Sequence, residues 1–165
     1  LEKEKHQRRS DIIPPQIKIA GNYTSSMMAK WQARKNGYDE IILTDENGFI
    51  TEAPTSNVFL VNQDDVLLTA PKEEVLYGIT RKSILDIADN EGIKTKVERI
   101  PLSKLKNAKE VFITSSSHLV CPVIKIDNNP VGSGGIGVLT DKLKQRFLKI
   151  SQGQDSFFSD WLDSI

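Results

Sequence analysis

Four stretches of this sequence carry residue types that could do chemistry. The first is Ile17-Lys18-Ile19, a lysine between two branched apolar residues, read as a short strand ahead of Ala20-Gly21. Such flanks can shelter an amine. Burial disfavours an ammonium, and only a free amine attacks a carbonyl carbon. The second is Thr51-Glu-Ala-Pro-Thr-Ser-Asn57, where Glu52 at a strand end is followed by small residues that let a ligand approach. A carboxylate so placed suits a protonated heteroaromatic nitrogen. The third, Leu76-Tyr-Gly-Ile-Thr-Arg81, opens a helix, and the amides of Ile79 and Thr80 next to Gly78 make an anion site. The fourth is a cluster of hydroxyls, Thr114-Ser-Ser-Ser117, at a strand end. Each stretch also has a plain structural reading: a solvent-pointing lysine on an edge strand, a turn between strands, a helix start, a serine-rich turn.

The elements that must position these residues follow from periodicity and punctuation. Residues 1–13 are charged and without a regular period, and Pro14-Pro15 stops any element, so this part reads as a linker or tail. Tyr23, Met27, Trp31 and Arg34 predict a helix from Asn22 to Lys35, with Asn22 as N-cap and Gly37 in the left-handed position beyond it. Hairpins are expected for Glu40–Thr44 with Phe49–Thr51 around Asn47-Gly48, and for Asn57–Val61 with Val66–Thr69. A helix over Thr80–Asn90, a strand over Lys94–Ile100, a short helix over Leu102–Asn107 and a strand over Glu110–Thr114 come next. Val120–Ile126 and Pro130-Val131 bracket a turn, and Leu139, Leu143, Phe147 and Ile150 predict an amphipathic last helix over Val138–Ile150. Hairpins outnumber regular strand–helix–strand units, which indicates an α+β class.

Composition narrows the function classes. The 165 residues fit one compact domain, and 22 basic against 22 acidic side chains leave no bulk charge that would point to a nucleic-acid partner. No apolar stretch is long enough to span a bilayer, so no membrane partner is expected. The single cysteine, Cys121, suits a reducing cytoplasm, and with His6 and His118 far apart no metal motif can be read. Gly132-Ser-Gly-Gly-Ile-Gly137 matches a dinucleotide-binding pattern, but no following strand and acidic residue complete that unit. It reads as a loop into the last helix.

Taken together, in this order and spacing, the four stretches resemble the class IV (fold-type IV) pyridoxal-phosphate enzymes, which include branched-chain aminotransferases, D-amino acid aminotransferases and aminodeoxychorismate lyase. The resemblance runs from about Ile17 to Phe147 and is densest from Glu52 through Asn57-Val-Phe59 and Leu67-Leu-Thr69 to Leu76-Tyr-Gly-Ile-Thr-Arg81. It implies the large C-terminal domain of the D-amino acid aminotransferase-like fold, a hairpin-rich sheet or barrel with surrounding helices. The corresponding division is a linker at 1–16, a cofactor-binding domain at 17–150 and a C-terminal extension at 151–165, without the family's smaller N-terminal domain. That smaller domain would act as a lid, supplying an arginine to the phosphate and much of the substrate pocket.

The resemblance also assigns roles. Lys18 corresponds to the Schiff-base lysine that shuttles the proton. Tyr23, in the run from Lys18 to Tyr23 that looks most like branched-chain enzymes, corresponds to the partner of the cofactor's phenolate oxygen. Glu52 corresponds to the partner of the pyridine nitrogen, and Leu76 to the side chain under the ring. Ile79, Thr80 and Ser116 correspond to phosphate donors, while Ser117 and His118 correspond to the backbone lining of the substrate pocket. Transamination between an amino acid and a 2-keto acid is the implied activity, in a homodimer. A lyase using the same lysine, or a fold-retaining module without catalysis, are the other readings.

Overall fold

The computed structural model describes residues 2–8 and 13–163. Its core is organised by strands whose alternate residues face different layers. The first sheet places β1 (Glu2–Arg8) parallel to β2 (Ile41–Asp45), followed by β3 (Phe49–Ile50). The second is built on β4 (Glu52–Ala53), β5 (Ser56–Val61) and β6 (Leu67–Thr69), with β7 (Thr95–Val97) on its edge. β8 (Ile100–Pro101) returns to the first sheet, pairing with β3. β9 (Glu110–Ser115) and β10 (Leu119–Pro122) complete the second sheet on the other side of β5. A small ribbon of β11 (Lys125–Ile126) and β12 (Asn129–Pro130) follows. Around the sheets pack α1 (Ala20–Lys35), α2 (Ile79–Asn90) and α3 (Val138–Ser151).

Period-two alternation sorts these strands into three cores. Ile42 and Ile50 of the first sheet meet Val58, Leu60, Val111 and Ile113 of the second in a core between the sheets. The intervening residues Phe59, Val61 and Phe112 turn to the opposite face, where they pack against Ile84 and Ile87 of α2 and Leu143 and Ile150 of α3. Phe59 and Phe112 stack there with centroids 5.0 Å apart. On the outer face of the first sheet, Ile41 and Leu43 receive Ala29 and Ala33 of α1. Both sheets are thus covered on two sides, which is why β2 and β5 read as unbroken apolar runs.

Expectations hold for most of these elements, with boundaries moved by one or two residues, but Ile17–Ile19 forms no strand, Val120–Ile126 divides between β10 and β11 in different sheets, and three further places differ. Glu2–Arg8, expected within an irregular tail, is a strand on the edge of the first sheet. Lys94–Ile100, expected as one strand, divides between β7 in one sheet and β8 in the other. Asn22 does not cap α1. Ile19 holds that position without a side-chain cap, and the Asn22 carboxamide reaches back to donate to the carbonyls of Ile17 (2.7 Å) and Pro14 (3.2 Å). The helix also lies on small residues and a buried Lys30–Glu40 ion pair, leaving Met27, Met28 and Trp31 exposed.

The C-terminal extension has a packing role. Phe158 inserts into the core shared by α2 and α3, and Arg146 of α3 pairs with Glu91 beyond α2 and with Asp155 of the extension. The glycines before α3 are required by close approach. A Cβ at Gly132 would enter the Lys109 carbonyl, and one at Gly137 would enter the Glu110 carboxylate.

Candidate functional site

The chain crosses from the first sheet to the second through Thr51, whose N–H and hydroxyl both donate to the Leu43 carbonyl (2.9 and 3.1 Å). That anchor sets Glu52 at the start of the second sheet. There Glu52 stands opposite Asn57 on β5, and Asn57 opposite Thr114 on β9. Cross-strand partners share a face, so the three side chains form a polar row at the end of the same face that carries Phe59 and Phe112. All three are buried, with Thr114 only 1% exposed.

Above this row runs the turn that enters α2. The Leu76 N–H donates to Glu52 Oε2 (3.0 Å), and the Leu76 carbonyl accepts from Asn57 Nδ2 (2.8 Å) and from the Gly78 N–H (2.8 Å). Leu76 is therefore held at both backbone groups by a facing pair on β4 and β5. The first helical bond, Lys82 N–H to the Gly78 carbonyl, follows at once, and the N-cap Gly78 offers no side chain to the amides beyond it. Arg81, in that first turn, is 1% exposed and donates to the Ala70 carbonyl (2.7 Å). Burial pushes its guanidinium below the ordinary arginine pKa, with Tyr77 and Glu73 pulling the other way. A buried cation at a helix N-terminus adds to the positive end of the helix dipole, so this corner is built for an anion.

Lys18 comes from the opposite wall. It lies outside any strand, at the centre of a tight turn in which the Ile19 N–H donates to the Ile17 carbonyl (3.1 Å), just ahead of α1. Asn22 ties that turn down, and Gln16 Nε2 donates to the Glu73 carbonyl, fastening it to the loop that carries Leu76. The expected shelter from Ile17 and Ile19 is absent. Both are about half exposed, at 46% and 45%, and Lys18 itself is exposed. The physical reason is that Pro14-Pro15 and the successive turns prevent ladder pairing, so no sheet neighbour covers this segment.

A cavity of about 290 Å³ joins these walls. Lys18 and Tyr23 line one side, Glu52, Asn57 and Thr114 the floor, Leu76 to Thr80 the far side, and Ser115 and Ser116 the remaining edge. Seven of the nine residues expected at the site are thereby brought together: Lys18, Tyr23, Glu52, Leu76, Ile79, Thr80 and Ser116. Ser117 and His118, expected to line the substrate pocket, are not among the residues lining this cavity. They sit exposed on the turn after β9, outside the lining, and the His118 N–H donates instead to Ser115 Oγ (3.2 Å). The hydroxyls of Ser56 and Thr114 are buried without a hydrogen-bond partner at this cavity. Asn57 was legible only as one letter of a motif, although a carboxamide heading the run Val58-Phe-Leu-Val61 needs a polar partner once buried.

Among the described residues no helix is long and apolar enough to cross a membrane, and no cluster of three metal-ligating side chains occurs. A sequence profile of amino-transferase class IV matches residues 2–126. The probable branched-chain-amino-acid aminotransferase of Aquifex aeolicus is 35% identical over 162 residues, covering 96% of this chain and 52% of that protein. The Escherichia coli (strain K12) branched-chain-amino-acid aminotransferase is 36% identical over 156 residues, covering 94% of this chain and 50% of that protein. A crystal structure of the T.th. branched-chain amino acid aminotransferase with pyridoxamine 5'-phosphate superposes with a TM-score of 0.94 at 33% identity, over 98% of this chain and 54% of that one. The chain spans about half the length of the curated relatives it matches.

Proposed function

The chain belongs to the amino-transferase class IV family, and from that premise we propose that it forms the pyridoxal-phosphate-binding part of an enzyme transferring an amino group between an amino acid and a 2-keto acid. One observation carries the reading: a single cavity joins an amine, a buried carboxylate, an apolar wall and a helix start without a side-chain cap. These groups fit a flat ring with an anionic arm. The partnerless hydroxyls of Ser56 and Thr114 also leave polar demand there that the chain does not itself meet.

When bound, pyridoxal phosphate supplies an aldehyde carbon for amine exchange and a protonated ring that draws electrons from the substrate Cα. The chain's own residues divide the remaining work. Lys18, which lines the cavity, would supply the nucleophilic amine and then the base that carries a proton to and from Cα. Glu52, fixed by the Leu76 amide, would hold a proton on the ring nitrogen. Tyr23, in the first turn of α1, would hold the phenolate oxygen through its hydroxyl, and Leu76 would offer an apolar contact to the ring; both line the cavity. The amides of Ile79 and Thr80 and the Ser116 hydroxyl bind the phosphate arm.

The relatives named above support branched-chain amino acids as substrates. The apolar outer side of α1, with Met27, Met28 and Trp31, supports association of two copies. The free Cys121 suits the cytoplasm. The test is turnover of L-leucine with a 2-keto acid by the protein loaded with pyridoxal phosphate. The expected result is keto-acid formation that falls at least about a thousandfold in Lys18→Ala, since nucleophile and base are lost together. Unchanged turnover in that variant overturns the assignment, and a Lys18-dependent elimination that needs no keto-acid acceptor and transfers no amino group would favour the lyase.

A further inference from the structure

We infer that Asn57 is a positioning residue that keeps the start of α2 available to a ligand anion, by bracing the turn before the helix with a group that carries no charge. This rests on the reading of the cavity as a cofactor site. The brace is direct: Asn57 Nδ2 donates to the Leu76 carbonyl, which also closes the tight turn onto the Gly78 N–H. The other end of the carboxamide fills the space beside Gly78, where a Cβ would enter Asn57 Oδ1. Asn57 therefore touches the turn at both ends, and Gly78 is required because the side chain is there.

The charge state of this neighbour matters because the same fold shows what a carboxylate does in the equivalent place. Before α3 the N-cap is again a glycine pressed against a side chain of the second sheet, here Glu110. Its carboxylate accepts from the amides of Leu139 (3.0 Å) and Thr140 (2.7 Å) and from Thr140 Oγ1 (2.7 Å), so that helix start is filled by the chain itself. A neutral carboxamide before α2 sets the turn without supplying an anion. An aspartate at position 57 would place a negative charge directly opposite Glu52 and beside the amides of α2, in competition with a phosphate.

The experiment compares binding of pyridoxal phosphate, pyridoxal and inorganic phosphate to the wild-type protein and to Asn57→Asp and Asn57→Ala. Absorbance titration reads the first two probes and thermal shift the third. In Asn57→Asp, affinity for pyridoxal phosphate should fall at least about tenfold more than affinity for pyridoxal, and the stabilisation by inorganic phosphate should vanish. In Asn57→Ala, which loses the brace but adds no charge, the extra loss for pyridoxal phosphate should be about three- to tenfold. Equal losses for both aldehydes in Asn57→Asp overturn the inference and leave the cofactor reading standing. A wild-type protein that binds neither phosphate-bearing probe overturns both. Should Asn57→Asp fail to fold, Gly78→Ala supplies the second arm. It should lower the melting temperature strongly beside Asn57 and much less in Asn57→Ala, and an equal drop in both backgrounds overturns the contact on which the inference depends.

Discussion

Helices α2 and α3 both start behind a glycine in extended conformation, Gly78 and Gly137, and both glycines lie against a polar side chain of the same sheet. They differ in what that side chain is. Glu110 on β9 gives α3 a carboxylate of its own, whereas Asn57 on β5 gives α2 only a neutral brace. Backbone amides at a helix start need acceptors. The chain supplies them at α3 through Glu110, whereas at α2, beside the cavity, the N-cap Gly78 brings no side-chain acceptor. On the function proposed above, one helix start serves the fold and the other serves binding, beside one sheet and with nearly the same local backbone.

The comparison can be broken most visibly at α3. Glu110→Ala strands two backbone amides and the Thr140 hydroxyl in a buried setting, at a cost of about 3 kcal/mol. Thermal denaturation should show a melting temperature lower by roughly 6–12 °C, with the ratio of affinities for pyridoxal phosphate and pyridoxal unchanged. A changed ratio would mean that the two helix starts are not separate in function. Next in size is the effect of ligand. Inorganic phosphate at ten times its dissociation constant should stabilise the wild-type protein by about 1.4 kcal/mol, or roughly 3–6 °C. Glu110→Ala should retain that gain in full, and its loss there would place the anion at α3.

A smaller effect sharpens the account of how the C-terminal end of α2 is held against α3. Hydrogen bonding to Lys142 and the nearby Arg146 keep the Glu91 carboxyl below its ordinary pKa. Around Asp155, desolvation would raise the pKa, but the bond to Arg146, its charge and the backbone N–H groups of Phe157 and Phe158 together make the net shift downward. A depressed folded-state pKa means that the stabilisation is present above the ordinary carboxylate value and is lost as pH falls through the folded value, below about pH 4. Melting temperatures measured from pH 7 to pH 3 should therefore fall less steeply in Glu91→Gln. An identical slope would show that this ion-pair network contributes nothing.

How much of this was readable beforehand varied with the physics behind each element. β2, β5 and β9 announced themselves because burial on both faces makes continuous apolar runs, and α3 because one face is apolar and the other charged. β1 has neither signature. Glu-Lys-Glu-Lys-His-Gln-Arg carries no apolar alternation, and its pairing with β2 is a tertiary choice invisible to local pattern. α1 was placed correctly but its buried side was not, because Ser26, Ala29, Lys30 and Ala33 make a small and partly charged contact surface. At the site, residue types and order identified the groups around the cavity. What stayed hidden was their mutual support: Asn57 and Glu52 gripping the two backbone groups of Leu76, and Asn22 fastening the turn at Lys18. Hydrogen bonds between residues 5 and 24 positions apart leave no periodic trace.

The most direct test of the central claim is the identity of the lysine that captures pyridoxal phosphate. Borohydride reduction of the loaded protein followed by peptide mass mapping should place the pyridoxyl phosphate mass on Lys18, at about one group per chain, and excess inorganic phosphate should lower that labelling. Label spread over other lysines with Lys18 unmodified would contradict the account.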